Sequence, residues 1–406
     1  MMAVVQTARR ERKWYVHLFE SANGPYLFVK HLGEGAESHA QCVRQLETNQ
    51  LQVRKVRLHR LDARQVRDTD NEIRITQFLK TLLVPYGNYP RYAQLLSHQD
   101  EPMLTGNSKT NQKWSRVSYW RYYNGGDLSR FKQSWMSERI EIPLPIIARF
   151  IGQVCHTLWL FQSGPVSVFH RDLNMSNIFL HWQAGSPLPD FHVGDFGKSG
   201  LSTEVDTDYL SLDNYRQRDV SHVSAHAKAL LYRVINGKID VFGDIRKVIS
   251  KSGPLRAVFE ELDAFVTGSQ TNGNGVAPSL ERVTQLAEYA ESELLKSCSI
   301  NTRAFFDDKL VKMQNAMPRY FDGKHKALSS YPIPGPWRLA QVNPVTGAVL
   351  AIDKEMHHRP NQHNDDSDTD NEFNLRLHRK NSRVFVEGSS GDGSSSKESF
   401  VQVEKP

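Results

Sequence analysis

A chain of 406 residues with 39% hydrophobic and 24% charged side chains has the composition of a globular protein with a sizeable core. Its net charge of +6 is mild for that length, without the concentrated basic and aromatic patch that nucleic acid asks for, so no nucleic-acid partner is expected. Three cysteines, Cys42, Cys155 and Cys298, lie far apart in no metal spacing, no apolar run reads as membrane-spanning, and no signal-peptide core opens the chain. The expectation is therefore an intracellular protein, of cytoplasm or nucleus, with no membrane partner.

Residues 1–25, with the basic run ARRERK, read as a solvated terminal segment. From residue 26 to 58 three strands follow: YLFVKHLGEG into a glycine turn, AQCVRQLETN, and QLQVRKVRL after the turn TNQ. DNEIRITQFLKTLL places Ile73, Ile75, Phe78 and Leu82 at helical spacing, with Asp70 as an N-cap. Residues 97–113 are polar and turn-rich and read as an exposed loop, and SRVSYWRYY reads as a strand ending at NGGDL. The run 144–162, LPIIARFIGQVCHTLWLFQ, carries a wide apolar face and predicts a buried helix, and residues 223–235 and 279–295 predict two more. Strands first and helices later give an α+β class, with a small β-rich lobe before a larger helical one.

Beyond about residue 297 the pattern predicts a helix over 302–317 and a hairpin, WRLAQVNPVTGAVLAID, around NPVTG. From His357 on, NDDSDTDNE and EGSSGDGSSSKES bring too little apolar surface to offset ordering entropy, which predicts a disordered tail. The expected domains are thus a terminal segment 1–25, a main domain 26–297, an extension 298–356 and a tail 357–406.

Chemistry concentrates in FHRDLNMSNIFL, residues 169–180, where Asn177 stands five positions after Asp172 between apolar flanks. Gly33 and Gly35 open a strand–turn–strand whose backbone can approach a phosphate closely, although a plain hairpin turn accounts for them equally well. Lys55 on a strand and Glu72 on a helix are singly ordinary surface charges, and Asp195 before Phe196 and Gly197 is singly an ordinary turn residue. Their order and spacing are harder to explain that way.

In that order they resemble the eukaryotic-type protein kinases. LGEGAESHA resembles the glycine-rich loop, VRKV the lysine strand, Glu72 the helix glutamate, WRYYNGGDL the hinge, HRDLNMSN the catalytic loop and DFG the metal motif, over residues 26–297. The resemblance implies a bilobal fold, ATP and Mg2+ as cofactors, and phosphoryl transfer to a protein substrate, Ser or Thr by family frequency. It implies that Asp172 accepts the substrate hydroxyl proton, that Asn177 and Asp195 ligate Mg2+, and that Lys55, fixed by Glu72, holds the α- and β-phosphates. Gly33, Gly35, Ser38, Ala40, Val53, Arg121, Tyr123, Asp127 and Phe179 complete the nucleotide-binding set, with Arg121 and Tyr123 at adenine and Asp127 at ribose. His170 and Phe196 are implied as packing residues linking the lobes.

The chain departs from the family in places. Ser38 stands for the third loop glycine, Ala40 for the following valine, Val53 for a smaller alanine, and Trp120 occupies the gatekeeper position. Asn174 replaces the lysine two residues after the catalytic aspartate, so slow transfer is expected. No APE closes the activation segment; Asp213 falls in the glutamate's place and Ala277 in that of its arginine, and the helix aspartate is not clearly Asp219. Arg171 suggests control by a phosphate on Ser202, Thr203 or Thr207. Two other functions stay open: a pseudokinase scaffold that binds nucleotide or partners without turnover, and a small-molecule phosphotransferase.

Overall fold

The computed structural model describes residues 14–19, 21, 23–34, 38–57, 63–83, 91–103, 113–183, 186–204, 210–235, 238–240, 253–268, 278–297, 337–342 and 349–352. All of them belong to one of two units into which the chain divides, Met1–His358. The expected helix at 302–317, the tail from His357 and the loop glycine Gly35 lie outside the described residues.

An eight-stranded antiparallel sheet carries the N-terminal part. Its strands are β1 (Trp14–Phe19), β2 (Tyr26–Glu34), β3 (Ser38–Gln45), β4 (Leu51–Arg57), β5 (Leu95–Met103), β6 (Lys113–Arg121), β13 (Trp337–Val342) and β14 (Val349–Ile352). Their order is β14-β13-β1-β2-β3-β4-β6-β5. The expected hairpin at the C-terminal end forms as β13 and β14, and β13 pairs with β1 from Trp14↔Val342 to Phe19↔Trp337. The sheet thus runs past both bounds of 26–297.

β4 shows why this sequence makes a strand with two different faces. Alternate side chains point to opposite sides. Gln52, Arg54 and Val56 are buried, while Val53 and Lys55 are partly exposed on the other side. Val56 joins Phe19, Tyr26, Phe28, Val43, Val117 and Tyr119 in one apolar cluster. Val53 packs against a different one, formed by Ala93, Trp120 and Tyr123.

Three sequence expectations need correction. Residues 97–103 are not a loop but most of β5, an edge strand paired with β6. Its polar residues misled because an edge strand needs only one buried face. The helix expected from Asp70 is α1 (Ala63–Leu82), which starts a turn or two earlier. Asp70 is inside it and meets Arg57 at 3.3 Å instead of capping. The helix expected over 223–235 is α4 (Leu212–Leu230), capped by Ser211. Residues 233–235 are instead a strand, paired with 238–240 as the hairpin β11 (Arg233–Ile235) and β12 (Lys238–Asp240).

The remaining elements are α2 (Leu128–Ser137), α3 (Leu144–Gln162), β7 (Val168–Phe169), β8 (Ile178–His181), β9 (Asp190–Val193), β10 (Gly200–Leu201), α5 (Pro254–Thr267) and α6 (Leu280–Ser297). Among the described residues, α3 is one helix long and apolar enough to cross a membrane, which corrects the reading that no run reaches that length. In this fold α3 is the core helix, covered by α4, α6 and β9. Gly152 permits the approach of α6: a Cβ there would stand 3.2 Å from that of Ala287.

A buried carboxylate ties α3 to β9. Asp190, 2% exposed, accepts from Arg149 at 2.7 Å, Gln153 at 2.9 Å and Gln183 at 2.5 Å, and pairs with Arg91 at 2.5 Å. Arg149 continues to Glu291 on α6 at 2.8 Å. Burial pushes the Asp190 carboxyl up, but hydrogen bonds from Arg149 and Gln153 and the charge of Arg91 outweigh it and hold the carboxyl well below the usual range. A lowered folded-state value gives stability that is present above the unfolded-state value of about 3.9 and is lost as pH falls toward the folded one. Asp190→Asn leaves two guanidinium groups short of their counter-charge and should cost about 3 kcal/mol at pH 7, shrinking below about pH 4. Thermal melts of both proteins against pH check this; equal melting temperatures at pH 7 would contradict it.

Candidate functional site

The sheet supplies one wall of the site by register. Gly33 pairs with Ala40, Ala40 with Lys55 and Lys55 with Ser118, so the glycine strand and the lysine lie in one row across four strands. Ser38 lies at the end of β3, opposite Arg57. Lys55 reaches α1, where its Nζ donates to both Glu72 oxygens at 2.7 and 2.9 Å, and it lies 5.5 Å from the centre of the Trp120 ring. Trp120 is itself pinned, its Nε1 donating to Ser118 Oγ at 2.8 Å, and it pairs with Val53 across the sheet.

Ala93, Trp120 and Tyr123, with Val53, Leu95 and Phe179 packed on them, make an apolar cradle beside Lys55. Tyr123 stacks on Phe179 with ring centres 5.9 Å apart, and its hydroxyl donates to Tyr92 O at 3.2 Å. Burial pushes that phenol up to about 12. Gly194 makes the stack possible, because a Cβ there would stand 2.6 Å from the Phe179 ring. The Arg121 N–H donates to Gln94 O, and its guanidinium lies 5.9 Å from the Tyr123 ring centre. Asp127 bridges to Phe179 and caps α2, accepting from Arg130 N at 2.9 Å. Arg130, from the same helix, donates to Leu32 O on β2 at 3.0 Å and pairs with Asp127 at 3.3 Å.

The opposite wall is the segment from β7 to β8. Arg171 adopts φ +66°, a conformation that L side chains rarely take. Asp219 on α4 holds it there, accepting from the N–H groups of His170 and Arg171, each at 2.8 Å. Burial pushes the Asp219 carboxyl up against the pull of His170 and the two N–H donors. His170 is fully buried beside Phe196, with ring centres 5.2 Å apart, and Phe196 also packs on Tyr92 and Phe161. His170 and Phe196 are therefore packing residues.

Asn177 knits this segment together. Its Nδ2 donates to Asp172 O at 2.9 Å, and its carbonyl accepts from Gly194 N at 2.8 Å, directly before Asp195. Asp195 takes φ +64°, and its carboxylate makes no hydrogen bond or ion pair with the described residues. Asn174 works as a cap, its Oδ1 accepting from Ser176 N at 3.0 Å at the start of the 3-10 turn Met175–Asn177. Among the described residues no group of three or more His, Cys, Asp and Glu could hold a metal ion. A divalent cation near Asp195 and Asn177 would complete its shell with water and with oxygens of a bound ligand.

No family model and no curated protein matches the chain. Among solved structures, the crystal structure of the BubR1 kinase domain is similar over 73% of this chain and 87% of that one, with a TM-score of 0.48 and 14% identity. At that identity the likeness concerns the fold alone.

Several residues at the site were not signalled by sequence. Asn71 donates through Nδ2 to Gly197 O at 2.9 Å and Ser199 O at 2.8 Å, and more weakly to Phe196 O at 3.4 Å. Arg74, one turn on, pairs with Glu204 at 2.7 Å. Lys198 pairs with Asp172 Oδ2 at 3.0 Å. Asp213, placed by sequence where a buried partner is expected, is exposed and among the described residues pairs with Arg216 on its own helix, while Ala277 lies outside the described residues. Of the three hydroxyls suggested as phosphate acceptors, Ser202 Oγ accepts from Ser167 N at 3.0 Å, Thr203 is exposed and Thr207 is not described. The Arg171 guanidinium lies 5.7 Å from the Tyr215 ring centre.

Asp219→Ala would strip the buried His170 N–H and the part-buried Arg171 N–H of their acceptor, at about 1 to 3 kcal/mol for the buried one and less for the other. The variant should melt well below the wild type. It should also exchange the amide hydrogens of His170 and Arg171 faster, which hydrogen-exchange mass spectrometry reads directly. Unchanged exchange there would contradict this role of Asp219.

Proposed function

We propose that this chain transfers the γ-phosphoryl group of ATP to a hydroxyl of a protein substrate, with Mg2+. The observation that carries the reading is the double attachment of α1. Glu72 takes both its oxygens to Lys55, and the adjacent Asn71 holds the backbone around Gly197. Phosphoryl transfer asks a protein mainly for positioning and for charge neutralisation. One helix here holds the phosphate-binding lysine and the metal-binding segment at once.

In this reading adenine lies in the apolar cradle of Val53, Trp120, Tyr123 and Phe179, with the backbone of Arg121 and Tyr123 beside its edge. Asp127 faces ribose while remaining the cap of α2. Lys55, held by Glu72, meets the α- and β-phosphates, and the two strands that carry Gly33 and Ala40, β2 and β3, cover them. Asp195, whose carboxylate makes no hydrogen bond or ion pair among the described residues, and Asn177, whose Nδ2 is already committed to Asp172 O, offer carboxylate and amide oxygens to the metal. The ion, when bound, neutralises charge building on the phosphate oxygens. Asp172 orients the acceptor hydroxyl and takes its proton. Ser or Thr is the preferred acceptor on family frequency alone.

A second reading, nucleotide binding without turnover, is favoured by one observation. Asn174 is used as a cap, so the catalytic loop offers no cation of its own at that position. Turnover separates the two readings. With wild-type protein, labelled phosphate from ATP should appear in itself or in a generic protein acceptor. Asp172→Ala should lower this by at least about 1000-fold, with its melting temperature nearly unchanged. Asp195→Asn should lose transfer and also the extra thermal stability that ATP confers only with Mg2+. Transfer at the wild-type rate in both variants would mean that the constellation is misread. A wild type stabilised by MgATP but without transfer would leave the binding-only reading.

A further inference from the structure

We infer that Lys198 is a catalytic residue: it supplies, from the turn after Asp195–Phe196–Gly197, the cation that neutralises the phosphoryl group in transit. The inference rests on the phosphoryl-transfer reading and names a group that reading lacks.

Negative charge is shared among the oxygens of a transferring phosphoryl group, and a cation fixed beside the acceptor carboxylate stabilises that charge without reorganising. Two other described cations near the site are engaged elsewhere. Lys55 is bound to both oxygens of Glu72, and the Arg171 guanidinium lies on the Tyr215 ring. Asn174 is neutral, and its oxygen caps the 3-10 turn. Lys198 is the described basic side chain that forms an ion pair with Asp172, at 3.0 Å.

An exposed ion pair contributes little to stability, and Lys198 is 51% exposed, so the pair is a poor candidate for a structural fastening. Its backbone is nevertheless held on both sides. Asn71 binds the carbonyls of Gly197 and Ser199, which flank Lys198, and Ser199 N donates to Phe196 O at 3.0 Å. Ser199 Oγ donates to His170 O at 3.2 Å, fastening the turn to the segment that carries Asp172. A Cβ on Gly197 would stand 3.2 Å from Asp68 O, so the turn is seated closely on α1. A fixed backbone thus carries an exposed ammonium to the proton acceptor. An ammonium has three donors, so it can keep one bond to Asp172 and offer another to a phosphoryl oxygen. During transfer the acceptor oxygen bonds to phosphorus as the bond to the leaving ADP oxygen breaks, and the hydroxyl proton passes to Asp172. Lys198 stays protonated throughout.

The test is steady-state kinetics of Lys198→Met and Lys198→Arg with MgATP and a protein acceptor, beside the wild type. The Met variant should keep the wild-type melting temperature and an ATP KM within about twofold, while kcat falls about 30-fold or more. The Arg variant should recover a good part of kcat, because it restores charge. Adding Asn174→Lys to Lys198→Met should also regain turnover by placing a cation two residues after Asp172. A wild type that turns over and a Met variant with unchanged or raised kcat would overturn the role of Lys198 while leaving phosphoryl transfer standing; a raised kcat would identify the ion pair as a brake. A wild type without turnover would overturn both.

Discussion

The site depends on two neighbouring side chains of α1 that face in different directions. Successive residues on an α-helix are about 100° apart around the axis. Glu72 therefore meets Lys55 on the sheet while Asn71 meets the turn from Phe196 to Ser199. Arg74, three residues from Asn71, adds Glu204 farther along the same segment. The helix can satisfy all these partners only in one position, wedged between β4 and the turn. If α1 moved out, Lys55 would lose its counter-charge and the turn would lose the amide that binds its carbonyls. The strand that carries Lys55 and the turn that follows Asp195 are thus held by one helix.

The second wall is held by different means. Arg171 and Asp195 both have positive φ without being glycine, a conformation that costs on the order of 1 to 3 kcal/mol and persists where the surroundings enforce it. Asp219 enforces the first through two N–H groups, and the chain around the second is fixed by Gly194 N on Asn177 O and by Phe196 packed among His170, Tyr92 and Phe161. These anchors are buried and contribute to folding. Asp172, Asp195 and Lys198, which they position, are more exposed. That division separates buried groups that hold the chain from groups that remain accessible.

What the sequence revealed follows from how local each signal is. The alternation in β4 and the spacing of His170–Arg171–Asp172, Asn177 and Asp195 are short-range patterns, and they were legible. Asn71 and Asp219 act on partners 48 to 128 residues away; nothing near Asn71 announces its partners, and Asp219 is only an uncertain match to the family's helix aspartate. Lys198 was overlooked because a lysine after a turn glycine reads as solvent-facing; its 3.0 Å contact with Asp172 comes from tertiary folding. The pairing of β1 with β13 is non-local in the same way. Strand β5 was misread because LLSHQDEPM lacks apolar alternation, and the start of α1 because its early turns, ARQVRDTD, are polar. Asn174 shows the opposite case: its identity was noted, but only its hydrogen bond to Ser176 N reveals that it is a cap.

The most direct test of the central role of α1 is a double-mutant cycle on kcat/KM for MgATP, with Lys55→Met and Asn71→Ala singly and together. These residues do not touch the same partner, so independent effects would simply add. If α1 joins the two halves of one working site, the double variant should lose much less than the sum of the two single losses, as residues acting as a unit do. Additive losses, or a wild type with no turnover to lose, would contradict the account.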